Sequence, residues 1–333
     1  MDQLIRLRDI LLLVLYTLTA VFALFNNGLV FIVTFRRRHY VLSQSTAKFP
    51  LNTTRIFLFN LALADTLLSL TMLIQFLSCS KYSLENLPLS SYICISNKFI
   101  QILAYNASTF TICLIAYDRY RLIQNPLLKY YRRKLFRILL FTWILSILLS
   151  ATYLISTRIQ IYFVSTKHVI GCQILLPTIA KHFLNDYILR TRIFCVVMLF
   201  YIMPLFIISI LCTLTIRILS RRTIIGVQRF RAFEQTRTRS SMLLLITVII
   251  FVLSRTPIHF IHLRELFISS SSKIAPTRSV QIDKCNDTTM YLLFYWLSLS
   301  SCCHNPIIYS WFNRRYRTLF FYCCRSMFYW RRY

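Results

Sequence analysis

Glycine is nearly missing from this chain: Gly28, Gly171 and Gly226 are the three among 333 residues. Glycines that far apart cannot build a GxGxxG turn or a Walker loop, so phosphate-cradling chemistry of that kind is excluded, and collagen-like or glycine-linker architectures go with it. Acidic residues are scarce as well, 10 against 39 Lys and Arg, and charged residues of both signs make up 15% of the chain. A soluble domain carries about 25% charged and roughly 45–50% apolar residues. Here 57% of the residues are hydrophobic, and the mean hydropathy is +0.59. The eleven cysteines include no CxxC and no zinc-type spacing, and no HExxH is present. An ordinary soluble enzyme or metal domain is not what this composition describes.

What is present in quantity is long apolar runs. A helix crosses the hydrocarbon core with about 20 mostly apolar residues. Seven stretches meet that length: 10–35, 56–79, 94–117, 135–156, 191–219, 240–263 and 289–311. The first exceeds the roughly 7–15 residues of a signal peptide's apolar region and is followed by Arg36, Arg37 and Arg38, so it reads as a retained span. The expected architecture is an all-α membrane protein, a seven-helix bundle. It divides into an outer N-terminus (1–9), a bundle (10–311), and an amphipathic helix with a short tail (312–333). Within that last segment Phe312, Tyr316, Leu319 and Phe320 fall on one helical face, and Arg314, Arg315 and Arg317 fall on the other.

Charge orients the spans. Segments 36–55, 118–137, 217–239 and 314–332 carry net +5, +6, +6 and +6, while 1–9, 80–90, 157–192 and 264–287 carry 0, 0, +4 and +1. Positive segments stay in the cytoplasm, which predicts an outer N-terminus and an inner C-terminus at the cell membrane. The net charge of +29 is therefore a topological signal meeting anionic lipid, with no nucleic acid implied.

Cys94 and Cys172 face the oxidising side, where disulfides form, and Cys79 and Cys285 lie near the same face, so the pairing is left open by position alone. Cys323 and Cys324 sit in the basic, aromatic inner tail and read as palmitoylation sites. Of three N-x-Ser/Thr sequons, Asn52 faces inward and Asn106 lies within a span, which leaves Asn286 for glycosylation.

Several motifs fall at fixed places on these spans. The second carries Asn60-Leu-Ala-Leu-Ala-Asp65, the third ends Asp118-Arg119-Tyr120, and the seventh ends Asn305-Pro306-Ile-Ile-Tyr309. Asn26-Asn27-Gly28, Trp143, Pro204, Phe251 and Pro257 mark the others. In this order they resemble the rhodopsin-like (class A) G protein-coupled receptors over about residues 10–325. The resemblance implies that Cys94 pairs with Cys172. It implies that Asp65, Ser108 and Asn305 ring a sodium ion and waters, with no other cofactor. It also implies that Arg119 and the basic loops 118–137 and 217–239 meet a heterotrimeric G protein. Physically, Pro257 and Pro306 interrupt helix hydrogen bonding and make kinks on which helices can swing.

Helical spacing then places Gln101, Tyr105 and Ser108 on one stripe of the third span, Arg255, His259 and His262 on one of the sixth with Glu265 a turn further, and Tyr291, Tyr295, Ser298, Cys302, Asn305 and Tyr309 on one of the seventh. Three polar stripes deepening from the outer side describe a ligand pocket more readily than a metal site. Amine receptors of the family place an aspartate where Gln101 stands, so the resemblance implies a short peptide or other small ligand. Its closest type is the invertebrate FMRFamide- and myosuppressin-type receptors. A hairpin is expected before Cys172, with Ile161–Val164 and Val169–Ile170 flanking a turn at Ser165–His168. Glu265, Asp283 or Asp186 would receive a peptide arginine, whereas the positive 157–192 loop would suit an acidic ligand. The chain departs from the family at Ser254-Arg255-Thr256-Pro257, at Cys212 and at Arg237. Arg255 lies level with the kink and must find an anion, carbonyls or water: it either points inward to Asp65 or outward to the pocket. A transporter or channel is the rival class, disfavoured because the hydrophobic pattern shows no inverted repeat. An enzyme is disfavoured because no nucleophile–base pair is visible.

Overall fold

The computed structural model describes residues 2–41, 51–79, 90–125, 132–155, 158–164, 167–173, 191, 194–222, 242, 245–264, 289–312 and 317–318. Its helices are α1 (Asp2–Val41), α2 (Leu51–Cys79), α3 (Ser90–Gln124), α4 (Arg132–Ile155), α5 (Met203–Arg222), α6 (Leu245–Arg264), α7 (Thr289–Leu299) and α8 (Ser301–Phe312). Six helical stretches are each long and apolar enough to cross a membrane. The seventh apolar run is present as α7 and α8, which are individually too short because the helix breaks at Ser300.

The interior and exterior are inverted relative to a soluble bundle. Leu18, Phe136, Phe141, Phe206, Leu253 and Phe260 point outward, while Asn27, Asn60, Asp65, Asn106, Ser146 and Arg255 are buried. In hydrocarbon there is no water to satisfy a polar group, so polar side chains turn toward the bundle axis and apolar ones toward lipid. On α1 the buried face runs Leu12, Tyr16, Ala20, Ala23, Asn27 and Val30, at helical spacing. α3 packs against α2, α4 and α5, and α1 packs against α2 and both halves of the seventh span. Small hydroxyl residues line the α4 face: Ser146 and Ser150 are fully buried and donate to the carbonyls of Thr142 and Ser146.

Four sequence expectations are adjusted. α1 begins at Asp2, so residues 2–9 continue the first helix in place of a separate tail, because a helix satisfies their backbone groups internally. α3 continues to Gln124, beyond the expected end at 117. The hairpin forms, as β1 (Arg158–Val164) and β2 (Lys167–Gln173), but Val164 pairs with Lys167, so the connection is two residues where four were expected. Tight two-residue connections match strand twist best. The seventh span is broken because Ser300 and Ser301 hydroxyls bond the carbonyls of Leu297 and Ser298, and Pro306 removes a donor one turn on. The amphipathic segment is described only at 312 and 317–318, which are helical.

Two prolines are each matched by a specific compensation. Pro306 has no N–H for the Cys302 carbonyl, and Asn27 Nδ2 of α1 donates to it at 3.0 Å as well as to Ala23 O at 2.9 Å. Ahead of Pro204 the chain forms a π-helical turn, Met198–Ile202, in which Met203 N–H reaches Met198 O. Asn60 ties three helices, donating to Thr111 Oγ1 of α3 at 2.7 Å and accepting from Trp143 Nε1 of α4 at 2.8 Å. Asn27→Ala should therefore lower stability by about 1–3 kcal/mol, the cost of leaving a buried carbonyl unmet. Thermal unfolding of the detergent-solubilised protein measures it, and an unchanged midpoint would show that another donor serves Cys302.

Candidate functional site

The deepest part of the site is a polar core around Asp65, 1% exposed in α2. Ser108 Oγ of α3 donates to its Oδ1 at 2.9 Å, and Asn305 Nδ2 of α8 donates to Oδ2 at 2.8 Å. Ser69, one turn along α2, donates to the Asp65 carbonyl. Each carboxylate oxygen thus receives a donor from a different helix. The three residues expected to face one another mid-bundle do so.

Above the core lies a second cluster built on α3, α6 and α7. Tyr105 Oη and His259 Nε2 are 2.9 Å apart, and Tyr201 stacks on the His259 ring with centroids 4.6 Å apart. His262 meets His259 edge-on. Tyr295 Oη donates to Gln101 Oε1 at 2.6 Å, and Tyr291 packs on Tyr295. The predicted contacts therefore fall into two connected sets on the same helices, Tyr105–His259–His262 and Gln101–Tyr295–Tyr291, which together make the column. Three buried atoms in and below it have no hydrogen-bond partner: Gln101 Nε2, His259 Nδ1 and Arg255 Nε. Unmet polar atoms in a buried column are places for a bound molecule's polar groups or for water. Glu265 lies outside the described residues, as do Asp186, Asp283 and Asn286.

Between the two layers sits Arg255, 1% exposed. Its NH1 donates to Thr109 Oγ1 at 3.1 Å and its NH2 to Ser301 Oγ at 3.4 Å. The guanidinium lies over the Tyr105 ring, with Cζ 3.5 Å from its centroid, and over the Phe251 ring at 4.8 Å. Weak hydration and a planar face make arginine the cation best suited to such a slot. The side chain thus touches Tyr105 of the column and hydroxyls of α3 and α8, with no direct ion pair to Asp65. A small cavity beneath it is lined by Ser108, Phe251, Ser301 and Asn305 among others.

Toward the C-terminal end of α3 Asp118 is buried, Arg119 and Tyr120 are half-buried, and neither Asp118 oxygen has a hydrogen-bond donor among the described residues. Pro257 and Pro306 lie inside α6 and α8. Tyr309 is helical, with its side chain outside the described set. β2, which carries Cys172, lies against α3, which carries Cys94, but both thiols are outside the described side chains, and Cys323 and Cys324 are outside altogether. Among the described residues no group of three His, Cys, Asp or Glu side chains is placed to hold a metal ion.

Sequence reasoning missed Lys98, Thr109, Tyr201, Thr256 and Ser301. Lys98 is buried, with Nζ 3.2 Å from Tyr295 Oη and 5.0 Å from that ring's centroid. A signal existed: a charge inside an apolar run, three residues before Gln101 on its stripe. Tyr201, in the π-helical turn before α5, and Thr256 of α6 bond each other, a pairing that neither residue's own span reveals.

The chain matches the family model of the 7 transmembrane receptor (rhodopsin family) over residues 26–309. It is 29% identical over 282 residues to Tachykinin-like peptides receptor 86C of Drosophila melanogaster and 27% over 300 residues to Tachykinin-like peptides receptor 99D of the same species. It is 26% identical over 279 residues to the Substance-P receptor of Meriones unguiculatus. These alignments cover 81%, 87% and 81% of this chain but 52%, 54% and 63% of the relatives, so the chain spans half to under two thirds of their length. The names are of tachykinin type, where the motifs had suggested FMRFamide- and myosuppressin-type receptors.

The column yields a stability prediction. Tyr105→Phe keeps the ring beneath the guanidinium and removes only the bond to His259, whereas Tyr105→Leu removes both. The leucine variant should be the less stable by about 0.5–2 kcal/mol, the range for a desolvated cation–π contact. Equal unfolding midpoints for the two variants would show that the ring adds nothing.

Proposed function

This chain belongs to the rhodopsin family of seven-transmembrane receptors, and from that membership we propose that it is a receptor for a short extracellular peptide, acting on heterotrimeric G proteins. The observation that carries the reading is the column of polar and aromatic side chains on α3, α6 and α7, standing directly over the Asp65 core and joined to it through Arg255. A ligand meeting Gln101, Tyr105, His259, His262, Tyr291 and Tyr295 would press on both α6 and the broken seventh span. Glu265 is assigned to the outer rim of that pocket by its position a turn beyond His262. The tachykinin-type names of the relatives favour a peptide over an amine, and Gln101 in place of an acidic side chain agrees. The chemistry called for is recognition and conformational change, with no covalent step.

The same reading sets the orientation and the processing. The basic segments place the C-terminus and the loops 118–137 and 217–239 in the cytoplasm, where Arg119 would meet the G protein. Cys94 and Cys172 are assigned to a disulfide that ties the hairpin to α3, Asn286 to glycosylation, and Cys323 and Cys324 to palmitoylation.

Membranes containing the chain and a G protein should exchange nucleotide when an amidated tachykinin-type peptide is added, and Arg119→Ala should abolish the exchange while peptide binding persists. A panel of tachykinin- and FMRFamide-type peptides that binds and exchanges nothing, alongside solute flux through the same membranes, would favour the transporter class. Glycosylation tags placed in 38–54 and in 160–190 should be modified only in the second; the reverse pattern would overturn the orientation.

A further inference from the structure

In relatives of this fold the polar core is expected to hold a sodium ion near the residue corresponding to Asp65, and the residues present here can be tested for that. A hard cation wants several free oxygen atoms and an uncompensated negative charge. Both Asp65 oxygens already accept hydrogen bonds, from Ser108 and from Asn305. The adjoining cavity is lined by Ser108, Ser301, Asn305 and Arg255 together with the apolar side chains of Ile112, Ile250 and Phe251. A permanent cation therefore borders the space that a diffusible one would need, and the residues do not fit sodium.

We propose that Arg255 is the built-in counter-ion of Asp65, so that this protein's polar core excludes sodium. Arg255 is anchored close to both of Asp65's partners. It donates to Thr109, which follows Ser108 in α3, and to Ser301, which lies one turn before Asn305 in α8. Its charge is within electrostatic reach of the carboxylate. The two make no direct ion pair. The guanidinium shares one small cavity with Ser108 and Asn305, the two side chains that bond the Asp65 carboxylate, and guanidinium and carboxylate together are neutral. A buried charge with no compensation is strongly disfavoured in hydrocarbon, so each group needs the other. Adding sodium would leave the core with one net positive charge and no anion to meet it. No other basic side chain forms a hydrogen bond to Asp65 or lines the cavity among the described residues.

The test uses the full chain in detergent, followed by thermal unfolding in sodium chloride and in potassium chloride at equal ionic strength. The midpoints should coincide, and a midpoint raised specifically by sodium would overturn the proposal. A second measurement compares Asp65→Asn, Arg255→Met and the double variant. Each single change strands one buried charge and should lower the midpoint in either salt, and the double change should recover a large part of the loss. Strictly additive losses would overturn the pairing. If Arg255→Met does not fold, Asp65→Asn decides alone: an unchanged or higher midpoint would show that the guanidinium does not depend on that carboxylate.

Discussion

A buried carboxylate in a low-dielectric bundle organises this molecule. Asp65 cannot be left bare in hydrocarbon, and satisfying it recruits a hydroxyl from α3 and an amide from α8. Those demands fix the relative rotation of three helices, because each donor must point inward at one depth. The remaining polar contacts extend the same network. Asn27 holds the seventh span through the carbonyl that Pro306 leaves free, and Asn60 joins α2 to α3 and α4. In a membrane, where apolar contact with lipid is as good as apolar contact with protein, such bonds and close small-residue packing specify the bundle.

The fold was legible because the bilayer imposes length and polarity rules on sequence. Seven apolar runs, the charge asymmetry and the three motifs were enough to predict a bundle of this family, and the hairpin followed from two β-branched and aromatic runs flanking a turn. Boundaries were less legible. The helix from Asp2 and the extension to Gln124 run through mixed polar sequence where hydropathy falls off but backbone hydrogen bonding does not. The break at Ser300 depends on hydroxyls bonding back to their own helix, which an apolar count cannot register.

The site was legible wherever one helix face carries it. Gln101, Tyr105, His259 and Tyr295 were found by spacing, and the structure brings them together. Partners that only the packing of different helices creates were not found, among them Thr109 and Ser301 for Arg255 and Tyr201 for Thr256. Arg255 itself was conspicuous as a charge in a span, yet its direction was undetermined until the Tyr105 ring was seen beneath it.

The interruption at Ser300 divides the seventh span into two rods with separate tenants. The outer rod, α7, bears Tyr291 and Tyr295, and the inner rod, α8, bears Asn305 and Pro306. Two rods meeting at a joint do not transmit torque as one shaft would. A twist applied at the outer tyrosines can dissipate at the joint unless something bridges it from the side. Arg255 is such a bridge, since it reaches Ser301 just past the joint while stacking on Tyr105 of α3. Displacement at the mouth of the bundle would then travel inward obliquely, from α3 and α6 into α8, rather than straight down the helix that receives it.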